Sequence, residues 1–255
     1  TKPNISSLRN QNISSFETNI MAMNDEGNQY GLSTTTDTHM IKNMEWGAVA
    51  YLSHSKYGTC TDGTCQEIGI NNNSSYTTGC GSSAGSSSSS TCNSYNTELG
   101  MQASTTQNIY GVYDMSGGAY EYVMGNIVSN DGTTMMSGNS SSSNSGYTGI
   151  IYDRGNYTSY TGTYSYPDTK YYDKYSYGTS YSQRIRSKLG DGIKEVLNTS
   201  SRGWYSDYSY LAYSYNPWFN RGGDYNRGST AGAFYSYYSN GYAYTNYSSR
   251  LVITP

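Results

Sequence analysis

The sequence predicts an α+β chain with one or two helices, short antiparallel strands and long polar loops, and three observations carry that expectation. Helical periodicity is confined to the first 58 residues and one later segment. Of the 32 Tyr, 9 lie in residues 1–146 and 23 in residues 147–255, where they alternate with Ser, Asn and Gly in the manner of short strands joined by many turns. Aromatic residues at 15% and a net charge of only −3 oppose the disorder that 42 Ser and 29 Gly would otherwise imply, because Tyr rings supply apolar area for a core. One domain spanning 1–255 is expected.

Taken in order, Ile20 to Met23 is apolar, and Thr38 to Leu52 carries Met40, Met44, Trp46, Val49 and Leu52 behind Asp37 or Thr38 as a cap, so one helix is expected there. Residues 58–97 form an insertion that holds all four cysteines and the run Ser86 to Ser90; with a second tract, Ser137 to Gly146, it reads as flexible loop. The spacing of Cys60, Cys65, Cys80 and Cys92 matches neither paired zinc knuckles nor a redox C-x-x-C. Disulfides are expected instead. Three connectivities exist; pairing Cys60 with Cys65 and Cys80 with Cys92 closes two short loops in a segment with little hydrophobic support, and a four-thiolate structural metal site is the alternative. Either implies an oxidising or surface-exposed location, with an export signal, pilus tether or membrane anchor placed upstream of Thr1. Asn108 to Asn126 is a compact apolar and aromatic stretch with paired glycines, and Ile185 to Leu197 is expected to form a short helix interrupted by Gly190 and Gly192.

The same composition excludes several functions. Charged residues are 13% and form no basic run, which argues against a nucleic-acid partner or a polybasic membrane surface. Met44 to Leu52, the longest nearly apolar stretch, is far below the roughly 18 residues of a membrane helix, and no charged-then-apolar leader opens the chain. The two histidines, His39 and His54, make no ligand set, and each is expected as a solvated or singly hydrogen-bonded ring. No G-x-S-x-G elbow occurs. Asp114 is expected to cap a turn, and the methionines to fill the core. No metal, cofactor or catalytic residue is assigned.

Asn108-Ile-Tyr-Gly-Val-Tyr-Asp-Met-Ser-Gly-Gly-Ala-Tyr-Glu-Tyr122 resembles the core motif N-x-x-G-L-Y-D-M-x-G-N-V-W-E-W of the formylglycine-generating-enzyme-like branch of the C-type lectin fold. Gly118 stands where that family has Asn, Ala119 where it has Val, and Tyr120 and Tyr122 where it has Trp. Arg221-Gly222-Gly223, Ala231-Gly232-Ala233-Phe234 and Arg250-Leu-Val-Ile253 are similar to its R-G-G element and its last two strands. The resemblance implies a C-type lectin-like fold with residues 108–123 and 219–253 in one core and the cysteine insertion at the periphery. It does not imply catalysis here, since no Cys follows Cys92 and no His cluster exists.

From Asn198 to Pro255 there is no Lys, Glu, Gln or Met, although residues 1–197 hold 29 of them and a uniform rate would give about 9. An Asn codon ending in a pyrimidine, with its adenines replaced, encodes Tyr, Ser, Asp, Gly, Ala and Arg but never Lys, Glu, Gln, Met or Trp. In this the chain resembles the variable proteins of diversity-generating retroelements, whose C-terminal end is rewritten by adenine-directed mutagenesis on a C-type lectin fold. The resemblance makes 203–255 the variable region and implies a recognition surface of Tyr205, Ser206, Asp207, Tyr208, Tyr210, Tyr213, Asp224, Tyr225, Asn226, Tyr235, Tyr237, Tyr238, Tyr242 and Tyr244. Trp204, Trp218, Arg221, Gly222, Gly223, Phe234 and Arg250 become scaffold. Tyr, Ser, Gly and Asn also dominate antibody paratopes, because Tyr offers a large amphipathic contact with only two torsions to freeze. Tyr147 to Tyr181 reads as static support, since Lys170, Lys174 and Gln183 break the coding bias. The function implied is surface-displayed, adhesin-like binding of a variable protein or glycan ligand on another cell or phage host. A pilus or other structural subunit with a static Tyr face is the alternative, ahead of an enzyme.

Overall fold

A computed structural model of the chain describes residues 3–128, 133–139, 144–176, 187–196 and 201–254. In chain order its elements are α1 (Ile13–Met21), β1 (Asp37–Met40), α2 (Asn43–Ser53), β2 (Cys60–Thr61), β3 (Thr64–Cys65), α3 (Glu98–Met101), β4 (Tyr120–Ile127), β5 (Met136–Gly138), β6 (Gly149–Asp153), β7 (Asn156–Tyr160), β8 (Asp173–Tyr175), β9 (Trp218–Gly222), β10 (Gly232–Ser239), β11 (Tyr247–Ser249) and β12 (Leu251–Thr254). The fold is mixed α+β. β4 lies inside a five-stranded sheet of order β10-β9-β4-β11, with β8 also paired to β4; β9 is antiparallel to both β4 and β10, and β11 and β8 run parallel to β4. Smaller sheets pair β1 with β12, β2 with β3, and β5 with β6 and β7.

All eight residues of β4 are buried, so the strand is covered on both faces. Successive side chains of a strand point to opposite faces, and here Tyr122 and Met124 enter one apolar cluster while Val123 enters the other. The first cluster is closed by α1. Its cap is Asn12, whose Oδ1 accepts the Ser15 N–H at 3.0 Å, and Ile13, Phe16 and Ile20 repeat on one helical face against Met40, Tyr122, Met124 and Trp218. The second is closed by α2, where Trp46 and Ala50 meet Val123, Phe219 and Phe234, and the Trp46 indole N–H donates to Ala233 O at 2.9 Å. Each such buried ring or aliphatic side chain contributes about 1.5–3 kcal/mol. Met115, Val123, Phe219, Ala233 and Phe234 share this cluster, which brings residues 115–123 together with 219–234, whereas Ile109 and Tyr110 at the start of the motif stay exposed.

Several expectations change. The helix expected from Thr38 begins only at Asn43, because Asp37–Met40 pairs as a strand with β12, His39 opposite Val252. α1 was not foreseen as a helix, although Asn12 followed by Ile13, Phe16 and Ile20 carries its signal. Residues 187–196 turn rather than coil into a helix. Glu195 accepts the N–H groups of Gly190 and Gly192, and Asp191 accepts those of Ile193 and Lys194, which folds the segment back on itself. The ends of the expected helix, 185–186 and 197, lie outside the described residues, as do 140–143 of the second polar tract. The flanks of that tract are not loop: Ser137 sits in β5, and Ser137 and Ser145 are both buried.

The largest correction concerns the cysteine insertion. Cys60–Cys65 and Cys80–Cys92 are disulfides, the sequential pairing. The first ties the β2–β3 hairpin at the edge, but the segment between the two bridges is not peripheral. Ile68 and Ile70 are fully buried, and Ile68 belongs to the α2 side of the core. The Asn71 N–H donates to Ser116 O at 2.8 Å, and Gly118 N–H donates back to Asn71 O at 2.7 Å. Asp114 therefore does more than cap a turn: its carboxylate accepts from the Asn71 side chain at 2.7 Å and from Gly79 N–H, which locks the insertion onto the motif. At Gly117, φ is +76° and a Cβ would run into Asn71 O, so only glycine permits this approach.

A tyrosine ribbon as candidate binding surface

β9 and β10 set the geometry of the face. Tyr237 lies opposite Asn220 and Tyr238 opposite Phe219, and a register shift between Gly232 and Ser236 lets Ala233 and Phe234 enter the core. Residues 208–210 add along β10: Ser236 N–H donates to Tyr208 O and Tyr210 N–H to Ser236 O, both at 2.9 Å. Ser209 points inward, where its hydroxyl donates to Gly192 O at 2.6 Å, so Tyr208 and Tyr210 emerge together on the other side.

The rings then meet in an unbroken series. Tyr242 touches Tyr244 (5.4 Å between centroids), Tyr244 touches Tyr247 (4.9 Å), Tyr247 touches Tyr120 (5.0 Å) and Tyr120 touches Tyr235 (5.8 Å). From Tyr235 the series runs through Tyr237 (6.2 Å) to Tyr210 (5.0 Å) and Tyr238 (4.4 Å), and on through Tyr213 (5.2 Å) to Tyr215 (6.4 Å). Tyr152 and Tyr157 extend it from the β6–β7 hairpin. Edge-to-face and offset contacts of this kind add about 0.5–1.5 kcal/mol each beyond burial, so the ribbon is held in place before any partner arrives. The hydrogen bond shared with Tyr237, reinforced by burial, pushes Tyr238 up to about 12, and burial raises Tyr235 and Tyr247 as well.

Three of the expected surface residues lie beneath the face. Asp207 is fully buried; its Oδ2 accepts Phe234 N–H at 3.0 Å, and burial together with the charge of Glu67 raises its carboxyl well above the usual range. Asp224 is buried and accepts from the Asn246 side chain at 3.2 Å, burial again raising it. Tyr235 is 1% exposed, its ring covered by Tyr120 and Tyr208 while its carbonyl accepts the Arg221 Nε–H at 2.8 Å. Tyr208, Tyr210, Tyr213, Tyr237 and Tyr238 are half-buried and Tyr242 and Tyr244 exposed, all within the ribbon.

Four others lie elsewhere. Tyr205 and Ser206, both at positive φ in a 3-10 turn, cover the β2–β3 hairpin, where Tyr205 lies 5.0 Å from the His54 ring and its hydroxyl donates to Cys65 O. Tyr225 and Asn226 sit in the turn after β9, with Tyr225 edge-on to Tyr76 at 5.0 Å and Asn226 exposed. Tyr215 and Tyr247 belong to the ribbon although the sequence did not single them out, and so do Tyr120, expected only as part of the core motif, and Tyr152 and Tyr157, expected as static support. Tyr120 and Tyr247 are joined through the parallel β4–β11 pair, a long-range register with no local signal.

The scaffold assignments are buried: Trp218, Arg221 and Phe234 are fully covered. The Arg221 guanidinium donates to Tyr235 O, Asn43 Oδ1 and Gly190 O, and Arg250 pairs with Glu121 at 2.7 Å. Trp204 is only partly covered and packs on Tyr51 and Phe234. Within 147–176, Tyr147 and Tyr166 stack on Trp218 at 5.6 and 5.9 Å and support the sheet from behind; Tyr177 and Tyr181 lie outside the described residues. His39 is neither solvated nor singly bonded. It bridges Asp37 at 2.8 Å and Glu45 at 3.1 Å, and the Glu45 bond raises its pKa against the opposing effect of burial. Among the described residues no group of three or more His, Cys, Asp or Glu is placed to hold a metal, and no helix is long and apolar enough to cross a membrane. No protein-family model matches the chain, and no curated protein is significantly similar to it.

Proposed function

We propose that this is a surface-displayed, adhesin-like binding protein, a single C-type lectin-like domain whose C-terminal Tyr face is diversified by a retroelement and meets a macromolecular ligand outside the cell. One observation carries the reading. Within 198–255, where the composition follows the adenine code, the residues that code produces supply most of the ribbon, while Trp218, which it cannot produce, is fully buried against Tyr147 and Tyr166. Variation at Tyr208, Tyr210, Tyr213, Tyr237 or Tyr238 thus changes what a partner meets without emptying the core. The lectin-like assignment is supported by the burial of residues 113–122 of the motif beside the R-G-G strand β9, although Ile109, Tyr110 and Val112 at its start are exposed, and by the pairing of β1 with the last strand. The two disulfides favour an oxidising, extracellular setting.

The test is to read the DNA downstream of the coding sequence for an imperfect repeat of the segment encoding residues 203–255. The reading expects such a repeat with differences confined to adenines. Its absence, or differences spread over all four bases, would refute the retroelement origin of the face.

A further inference from the structure

The 201–254 segment contains four Arg and two Asp, and their placement is uneven. Asp207 and Asp224 are buried, Arg221 is buried on backbone carbonyls, and Arg250 is paired with Glu121. Arg202 and Arg227 remain, and both lie at Tyr208. The Arg202 guanidinium is 3.8 Å from the Tyr208 ring centroid and that of Arg227 is 6.0 Å from it. One Arg202 nitrogen, Nη1, is shielded from solvent and has no hydrogen-bond partner, and among the described residues no carboxylate forms an ion pair with Arg202. Arg227 has only Asp224 Oδ1, at 3.9 Å, and also donates to the Tyr120 hydroxyl.

The arrangement is held by backbone. Tyr208 N–H donates to Thr230 O at 3.1 Å, tying it to the turn that bears Arg227; Ser209 N–H donates to Ser201 O and Gly203 N–H to Asp207 O, tying it to the hairpin that bears Arg202. Two cations held around one ring, on a chain of net charge −3, form a local anion-seeking spot.

We propose that Arg202, Tyr208 and Arg227 form an anion-binding subsite of the ribbon that receives a carboxylate of an acidic protein segment. A protein partner is favoured over a glycan because the face combines Tyr with Arg and has no Lys, the composition of protein interface cores. The two carboxylates of the 201–254 segment are buried, so that segment offers sugar hydroxyls no charged acceptor. The proposal rests on the ribbon being the binding face.

Binding to immobilised poly-L-glutamate and to polygalacturonate, measured by biolayer interferometry at 50 and 200 mM salt, tests it. Poly-L-glutamate is expected to bind more tightly than polygalacturonate, to weaken as salt rises, and to lose roughly tenfold in the Arg202→Gln/Arg227→Gln variant. Arg202→Lys/Arg227→Lys, which keeps both charges, is expected to stay within roughly threefold of the unmodified protein. Absent binding, binding indifferent to the Gln variant, a Lys variant as weak as the Gln variant, or Arg-dependent binding of polygalacturonate alone would each overturn the proposal. A negative result with the adenine-confined repeat present removes this subsite and leaves the retroelement reading standing, whereas Arg-dependent binding without the repeat does the reverse.

Discussion

Replacing Glu17 by Gln should raise stability at alkaline pH and leave it unchanged in mild acid. Glu17 is 2% exposed between α1 and β1; one carboxylate oxygen accepts Met40 N–H at 3.0 Å, and the other is buried without a hydrogen-bond partner. Burial pushes its pKa from the ordinary 4.5 up to about 7, against the pull of the Met40 N–H and His39. A carboxyl with a higher pKa in the folded than in the unfolded state binds more protons when folded between those two values. Stability from this group is therefore full below about pH 4.5 and falls as pH rises, with the loss complete above about pH 7. At about 1.36 kcal/mol per pH unit the ceiling is about 3 kcal/mol, and water entry and relaxation bring the expected effect to about 1–3 kcal/mol. Glu17→Gln keeps an acceptor for Met40 and carries no charge, so it should equal the parent near pH 4.5 and exceed it by that amount at pH 8. Urea unfolding at fixed ionic strength from pH 4.5 to 8 measures the difference. Glu67, also raised to about 7 by burial, slopes the same way. Glu45, lowered to about 2 because hydrogen bonds from His39 and Lys42 outweigh burial, contributes stability lost only as pH falls toward 2. Both are common to parent and variant, so parallel pH profiles for the two proteins would refute the assignment to Glu17.

Other expectations concern the frame and the face. Replacing Tyr242, an exposed ring that ends the ribbon against Tyr244, by Ser should cost less than about 1.5 kcal/mol, whereas Trp218→Ala should cost about 3–5 kcal/mol through a cavity under Tyr147 and Tyr166; equal losses in thermal unfolding would make that end of the ribbon structural. Removing Cys80–Cys92 should cost about 3–4 kcal/mol and Cys60–Cys65 about 2, since the first closes the longer loop and Cys80 is buried; denaturant midpoints of the two double-Ala variants in the reverse order would contradict the core placement of the insertion. Arg221→Ala strands the Asn43 side chain and the Gly190 and Tyr235 carbonyls in the interior and should cost about 3–5 kcal/mol; a loss within 1 kcal/mol in the same assay would show that they find other partners. Gly47→Ala places a methyl group into the backbone of Gly190, and a variant as stable as the parent would exclude that contact.

What the sequence revealed depended on whether the signal was local. The two short cysteine loops and the apolar stretch around Met115 follow from spacing and apolarity that a reader sees within a few residues, whereas the covered position of Trp218 is implied by the retroelement resemblance. Strand β1 does not, because Asp37–Met40 is a strand only by pairing with Leu251–Thr254 at the other end of the chain. The insertion misled for a related reason: its flanks are Ser and Gly, but three residues, Ile68, Ile70 and Asn71, dock on the motif through contacts made across more than forty positions.

The candidate face divides along the same line. On the proposed reading of 198–255 as a diversified segment, its composition points to Asp207, Asp224 and Tyr235 as readily as to Tyr237, because a codon carries no information about depth. Depth is set by the bulge between Gly232 and Ser236 and by the 208–210 segment laid on β10. Together they cover Tyr235 with Tyr208 and bury Asp207 under Phe234 N–H, while Tyr210 and Tyr237 stay at the surface. A substitution at Asp207 therefore changes the footing of β10, whereas one at Tyr237 changes only the contact offered. If the segment is diversified as proposed, its positions differ in what a substitution costs the fold, and the part able to carry new specificity would be the ring series from Tyr208 to Tyr215 and from Tyr237 to Tyr244.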